Sequence, residues 1–282
     1  MKTIKTLLLF ITTFAICSCG GVKKDKAVIT VSIEPLRYFV EQIVGDKAEV
    51  VTLVPKESSP ETYEPTAQQV IDLSKSTMYI KVGSLGFERT WGKKIESYSD
   101  HLAIIDSSAG VSFICSSASG IIDQHTWMST ANALIIAKNI YNALVRTDSQ
   151  NTLYYKQRYD ALVSRITRLD LSIRKALLAA PNHSFLIYHP ALTYFANEYG
   201  FRQIAIEEEG REPSVASLAE VIREAKRNAT KIMFVQKEFD SQNTETVVKE
   251  TKAQVVEINP LDYNWEQQMT LIASTLSNMS QN

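Results

Sequence analysis

The architecture of the chain follows from the sequence of residues 152–178, TLYYKQRYDALVSRITRLDLSIRKALL. Apolar and aromatic side chains recur there at steps of three and four residues, the period of one helix face. The set comprises Tyr155, Tyr159, Leu162, Ile166, Leu169, Ile173 and Leu177. Pro181 ends the pattern, and a helix of this length spans roughly 40 Å at about 1.5 Å per residue. A dimerisation helix is one alternative, but its place between two α/β patterns favours a helix that joins two lobes.

Short β-branched runs alternate with amphipathic segments on both sides of this helix. Before it, strands are predicted at residues 28–33, 50–54, 78–82 and 102–105, and helices at 35–44, from 65, at 87–98 and at 132–145. After it, strands are predicted at 185–188, 203–206, 231–235 and 254–258, and helices at 190–199, 214–227, 244–251 and 266–276. Alternation of this kind predicts parallel sheets covered by helices. We therefore expect an α/β fold of two lobes with mostly parallel central sheets, joined by one long rigid helix, with a ligand cleft between the lobes.

The N-terminus has the pattern of a lipoprotein signal peptide. Two lysines precede the apolar run of residues 7–16, which is too short to span a bilayer. Residues 16–19, Ile-Cys-Ser-Cys, are similar to the bacterial lipobox, and Cys19 fits the cleavage point better than Cys17 because the small Ser18 precedes it. Acyl chains on Cys19 would hold the protein at a membrane, at about 0.8 kcal/mol per buried methylene. A plain cleaved signal is the alternative.

The predicted division is a signal peptide at 1–18, a tether at 19–27, an N-terminal α/β lobe at 28–150, the linking helix at 151–181 and a C-terminal α/β lobe at 182–282. After cleavage, Cys115 is the one cysteine besides Cys19, so no internal disulfide is expected. The mature chain is mildly acidic, which gives no support to a nucleic-acid partner. We expect a monomer in the cell envelope, lipid-anchored through Cys19 and facing the periplasm.

Two of the four histidines stand in short motifs at the ends of the predicted lobes' elements. His125 lies in Asp-Gln-His-Thr-Trp (123–127), and His189 directly follows the predicted strand 185–188. Glu61 lies in the loop after the strand 50–54. Ligands of parallel sheets bind at the carboxyl ends of the strands, so these three side chains could reach one cleft. Imidazole and carboxylate suit zinc, iron and manganese, although spacing alone does not show that the side chains converge.

Five ordered motifs have counterparts in one known family. They are residues 59–65 (family Pro-His-x-Tyr-Glu-Pro), 123–127 (Asp-Pro-His-x-Trp), 188–194 (Ser-His-Pro-Ala-Phe-x-Tyr), 210–214 (Gly-x-Glu-Pro-Ser) and 258–261 (Asp-Pro-Leu). On these motifs nearly the whole mature chain resembles the zinc/manganese-type solute-binding proteins of ABC transporters, which are bacterial metal-receptor lipoproteins. The resemblance implies two lobes joined by a rigid helix, and a receptor without catalytic activity that delivers a divalent cation to a membrane permease.

Carried over motif by motif, His125 and His189 match two metal ligands of the family. Glu61 stands where the family usually has its first histidine, and Asn259 where it often has an aspartate. Glu61 can coordinate as an oxygen donor, whereas Asn259 offers only an amide oxygen that Asp262 or water could replace. The resemblance implies zinc first, with manganese or iron as alternatives. It also suggests the loop 207–211 as a docking contact at the cleft rim, with a merely solvated acidic loop as the alternative.

Two other functional classes remain open at this point. A metalloenzyme is one, because two histidines and a carboxylate also form hydrolase and oxygenase sites. Against it, the sequence contains no His-Glu-x-x-His pair, no Gly-x-Ser-x-Gly elbow and no phosphate loop. The other class is an adhesin or scaffold that keeps the family fold with a degenerate metal site.

Overall fold

A computed structural model of the protein describes residues 26–56, 58–97, 100–115, 120–207, 210–236 and 242–277. The predicted signal peptide, the lipidation residue Cys19 and nearly all of the tether lie outside these residues. Within the described ranges, every helix is too short or too polar to cross a lipid bilayer.

The N-terminal sheet is fully parallel. Its elements are β1 (Ala27–Val31), α1 (Glu34–Val44), β2 (Ala48–Thr52), α2 (Ala67–Ser74), β3 (Met78–Lys81), α3 (Gly86–Ser97) and β4 (Ala103–Asp106), followed by α4 (Thr130–Thr147). The strand order is β2-β1-β3-β4, so β1 pairs in parallel with both β2 and β3. Strands β1 and β3 are short, largely buried apolar runs, as expected of a sheet that helices cover.

The C-terminal sheet repeats this topology. Its elements are β5 (Ser184–Ile187), α6 (Thr193–Tyr199), β6 (Arg202–Ala205), α7 (Val215–Arg227), β7 (Ile232–Val235), α8 (Gln242–Thr251), β8 (Gln254–Glu257) and α9 (Trp265–Ser277). The order is β6-β5-β7-β8, again parallel throughout. After β5 the chain adds β6 on one side, and it then crosses over to add β7 and β8 on the other side. The strand order thus reverses between β5 and β7, and open parallel sheets bind ligands at such a switch point.

The helix α5 (Thr152–Leu177) joins the two sheets and confirms the prediction from residues 152–178. Its 26 residues bury one stripe of Tyr155, Leu162, Ile166, Ile173 and Leu177 against α1, α4 and α9. One continuous apolar core contains residues of both sheets, for example Ile29 of β1 and Phe185 of β5. The lobes therefore share packing along α5, which favours a stiff connection between them.

Two buried tryptophans tie the lobes together beside the cleft. The indole N–H of Trp127 donates to the carbonyl of Pro260 at 2.8 Å, and that of Trp265 donates to the carbonyl of Trp127 at 2.8 Å. Both rings are almost completely buried. The segment that carries His125 is thereby bonded directly to the start of α9 in the C-terminal lobe.

Two predicted helix starts are wrong by a few residues. The helix predicted from Pro65 begins at Ala67, because Thr66 caps it. The hydroxyl of Thr66 accepts from the backbone amide of Gln69, and the backbone amide of Thr66 donates to the side chain of Gln69. The helix predicted from Pro190 begins at Thr193. Residues 190–192 form a turn instead, in which the amide of Ala191 donates to the carbonyl of His189.

Candidate metal centre

Three of the predicted site residues converge in the cleft. Glu61, His125 and His189 each offer one ligand atom, and these atoms all lie within 4.8 Å of one another. Glu61 comes from the loop after β2, His125 from the connection between β4 and α4, and His189 from the end of β5. Two lobes thus contribute to one cluster of two imidazoles and a carboxylate.

The distances within the cluster match the spacing of ligands around a small cation. The Nε2 atoms of His125 and His189 are 3.3 Å apart, and Nε2 of His189 is also 3.3 Å from Oε1 of Glu61. Two donors at about 2.0–2.1 Å from one tetrahedral zinc ion would be about 3.3 Å apart. The three side chains are mostly shielded from solvent, and Glu61 is the most exposed at 26%.

His189 is held at the switch point of the C-terminal sheet by its backbone and its ring. The side-chain amide of Gln236, the residue after β7, donates to the carbonyl of His189 at 3.0 Å. The ring Nδ1 lies 3.1 and 3.2 Å from the two carboxylate oxygens of Glu207. A carboxylate can only accept, so Nδ1 carries the hydrogen and Nε2 faces the cluster.

His125 is oriented in the same way by the acid two residues before it. Oδ1 of Asp123 lies 2.9 Å from the ring Nδ1 and also accepts from the backbone amide of His125 at 2.8 Å. The hydroxyl of Tyr194, from α6 in the other lobe, donates to the carbonyl of Asp123 at 2.9 Å. Both imidazoles are therefore backed by a carboxylate on Nδ1, which is the common arrangement around metal-binding histidines.

The charges around the cluster change the pKa values of its members. Burial alone would lower the pKa of His189, but hydrogen bonds and negative charge from Glu207 and Glu61 outweigh it and raise this pKa to about 9. Burial would raise the pKa of Glu61 and Asp123, yet the facing histidines hold both pKa values below the usual range. At neutral pH the metal-free site therefore holds His189 as an imidazolium, with both ring nitrogens protonated. The surrounding carboxylates of Glu61, Asp123 and Glu207 attract a cation.

Asn259 and Asp262 come from the loop between β8 and α9. Both line a separate cavity of about 470 Å³ with Glu34, Arg37 and Lys56, and none of the three donor residues lines it. Oδ1 of Asn259 accepts from the amide of Leu261 at 2.9 Å, and Oδ1 of Asp262 accepts from the amide of Asn264 at 2.7 Å. Both side chains are thus engaged in turns of their own loop.

The structure corrects the expectation for Glu207 in the loop 207–211 and adds residues that sequence reasoning missed. Glu207 is 6% exposed and bonds to His189, so it does not belong to a docking surface. Glu208 and Glu209 lie outside the described residues, and Gly210 and Arg211 are exposed. A signal for Glu207 existed, because it follows β6, the neighbour of β5, and therefore lies at the same sheet edge as His189. Asp123 and Gln236 were likewise missed as supports of the histidines.

Known proteins share this fold over almost the whole chain. The family model for ZnuA, the periplasmic component A of a zinc-uptake complex, matches residues 29–282. A crystal structure of ZnuA aligns with a TM-score of 0.85 at 33% identity, covering 90% of this chain and 99% of that one.

Two relatives carry the names of metal-uptake proteins. The high-affinity zinc uptake system protein ZnuA of Bacillus subtilis (strain 168) is 26% identical over 257 residues, which cover 85% of this chain and 80% of that protein. The manganese ABC transporter substrate-binding lipoprotein PsaA of Streptococcus anginosus is 27% identical over 274 residues, with 89% and 87% covered. These matches confirm the resemblance drawn from the motifs: this chain belongs to the ZnuA family of periplasmic zinc-uptake components.

Proposed function

We propose that this protein is the extracytoplasmic substrate-binding component of a metal-ion ABC transporter. It captures a divalent cation between its lobes with Glu61, His125 and His189, and delivers the cation to a membrane permease. The observation that carries the proposal is the convergence of two Nε2 atoms and one carboxylate at distances that suit a tetrahedral ion.

Zinc is the first candidate for the cargo, with manganese and iron as alternatives. Relatives of this chain carry names that give zinc, manganese and iron. A site of two imidazoles and one carboxylate accepts all three ions, but nitrogen-rich sites bind zinc more tightly than manganese or iron(II). Water, a second carboxylate oxygen of Glu61, or Asn259 or Asp262 would complete the coordination. Oδ1 of Asn259 and of Asp262 each already accepts one hydrogen bond from an amide of its own loop, which favours water or Glu61.

The protein would act as a receptor and not as an enzyme, and the names of its relatives as metal-uptake and substrate-binding proteins support this role. It would work as a monomer at the outer face of a membrane, attached by lipid on Cys19. The names of relatives support this location, since two of them are substrate-binding lipoproteins. The protein's two lobes would span residues 28–150 and 182–282, joined by the linking helix at 151–181.

Calorimetric titration of the purified protein with zinc, manganese and anaerobic iron(II) tests the function. We expect one tightly bound ion per chain, with affinity in the order zinc, then iron or manganese. His125→Gln and His189→Gln should each lose tight binding. His183→Gln is the matched control, because His183 is exposed and lies beside Phe201, away from the cluster.

Two outcomes would replace the proposal. Absence of binding by the unaltered protein, with binding gained in Glu61→His, would indicate a degenerate site on a scaffold protein. Metal-dependent hydrolysis or oxygen consumption that is lost in His125→Gln would indicate a metalloenzyme.

A further inference from the structure

The backbone of Glu61 rests against a glycine at the start of α3. A Cβ added at Gly86 would lie 2.9 Å from the carbonyl oxygen of Glu61 and 3.9 Å from its carbonyl carbon. The φ angle of Gly86 is not positive, so the position needs glycine for space and not for an unusual backbone. This contact fixes how closely the Glu61 loop approaches the first turn of α3.

The same glycine is bonded to the segment that carries His125. The side-chain oxygen of Gln124 accepts from the amide of Gly86 at 3.0 Å, and the hydroxyl of Ser84 donates to the carbonyl of Gln124 at 3.3 Å. Gln124 immediately precedes His125. One short path of contacts therefore runs from Glu61 through Gly86 and Gln124 to His125.

We infer that Gly86 and Gln124 are positioning residues that set the distance between the Glu61 carboxylate and the histidine pair, an inference that rests on the proposed function. Ordinary contact with a Cβ begins at 3.4 Å, so an alanine at position 86 requires the Glu61 carbonyl and the start of α3 to move apart by about 0.5 Å. Metal–ligand distances tolerate about 0.2 Å. Loss of this support should weaken metal binding about 10- to 100-fold, as for other residues that orient ligands.

Helix α3 provides a matched pair of variants for the test. Gly86→Ala introduces the clash, whereas Gly92→Ala places a methyl group where no heavy atom lies within 4 Å. We expect zinc affinity to fall about 10- to 100-fold in Gly86→Ala and to stay unchanged in Gly92→Ala. In a Glu61→Ala background, Gly86→Ala should have no further effect, because the carboxylate through which it acts is gone.

Spectroscopy separates positioning from general destabilisation. The visible absorption of bound cobalt(II) should change in band position or intensity in Gly86→Ala, and should be unaltered in Gly92→Ala. Gln124→Met, which keeps the side-chain length and removes the acceptor, should shift affinity and spectrum in the same direction by a smaller amount. If Gly86→Ala does not fold, the zinc affinity and cobalt spectrum of Gln124→Met test the inference in its place.

Equal affinity and spectrum in Gly86→Ala and Gly92→Ala would overturn the inference and leave the proposed function intact. A loss that persists undiminished in the Glu61→Ala background would overturn it in the same way. Failure of the unaltered protein and of Gly92→Ala to bind zinc, manganese or iron(II) would overturn the proposed function, and the inference with it.

Discussion

Metal binding at neutral pH should release close to one proton, and the proton should come from His189. Its pKa is raised to about 9 because Glu207 and Glu61 outweigh the effect of burial. Nε2 of His189 faces both Glu61 and His125 at 3.3 Å, so the proton occupies the place where the donor atoms meet. A cation cannot bind all three donors until this proton leaves.

The pKa gives the size of the effect. At pH 7 the site lies two pH units below the pKa, so about one protein in 100 has a deprotonated His189. Apparent affinity should therefore rise about tenfold per pH unit from pH 6 to pH 8 and level off above pH 9. Histidine with its ordinary pKa of about 6.5 would show this dependence only below neutral pH.

Calorimetry in buffers with different ionisation enthalpies counts the released protons at each pH. Glu207→Gln should lower the pKa of His189, reduce the proton count at pH 7 and move the pH profile toward lower pH. Glu220→Gln is the matched control, because Glu220 also carries one negative charge in the C-terminal lobe but pairs with Arg223 and Arg227 on α7. An affinity that does not change between pH 7 and pH 8.5, with no proton released, would refute the assigned protonation state.

The same pKa sets the pH dependence of stability in the metal-free protein. The folded pKa of His189 is above its unfolded value of about 6.5, so this group stabilises the fold fully below pH 6.5. That contribution is lost as pH rises through about 9. Thermal melting of the metal-free protein should therefore show a decrease in Tm over this range, and His189→Gln should remove that part of the decrease.

Three further predictions concern single residues. Glu61→His should increase the preference for zinc over manganese in competition titrations, because it replaces an oxygen donor with a nitrogen donor; an unchanged ratio would argue against coordination by Glu61. Asp262→Asn should leave zinc affinity unchanged in calorimetry, since Asp262 lines a cavity that none of the three donor residues lines. A large loss of affinity would indicate that Asp262 coordinates the ion. Trp127→Phe should lower the free energy of unfolding in denaturant titration by about 1–3 kcal/mol, because the buried carbonyl of Pro260 loses its donor; no change would show that the tie contributes nothing.

Much of the architecture could be predicted from sequence, because hydrophobic period is a local property. The stripe on residues 152–178 is the buried face of α5, and the alternating runs correspond to eight parallel strands in the described part of the chain. Helix starts were less certain. Proline at 65 and 190 is compatible with a first helical turn, but the capping box of Thr66 and Gln69 and the turn after His189 decide the bounds.

The ligand residues could be predicted better than the residues that support them. His125, His189 and Glu61 follow elements that end at the cleft, so the parallel topology brings them together. Glu207 begins an acidic run that is typical of a solvated loop, and only the pairing of β6 with β5 turns it toward His189. The close approach of Gly86 to Glu61 depends on how the loop after β2 packs on α3, which no local pattern encodes.

A crystal structure of the zinc-loaded protein, with anomalous data on both sides of the zinc absorption edge, tests the central claim most directly. We expect one zinc peak at about 2.0–2.2 Å from Nε2 of His125, Nε2 of His189 and a carboxylate oxygen of Glu61. Nδ1 of the two histidines should keep its bonds to Asp123 and Glu207. A peak in the cavity of Asn259 and Asp262, or no peak between the two histidines, would contradict the account.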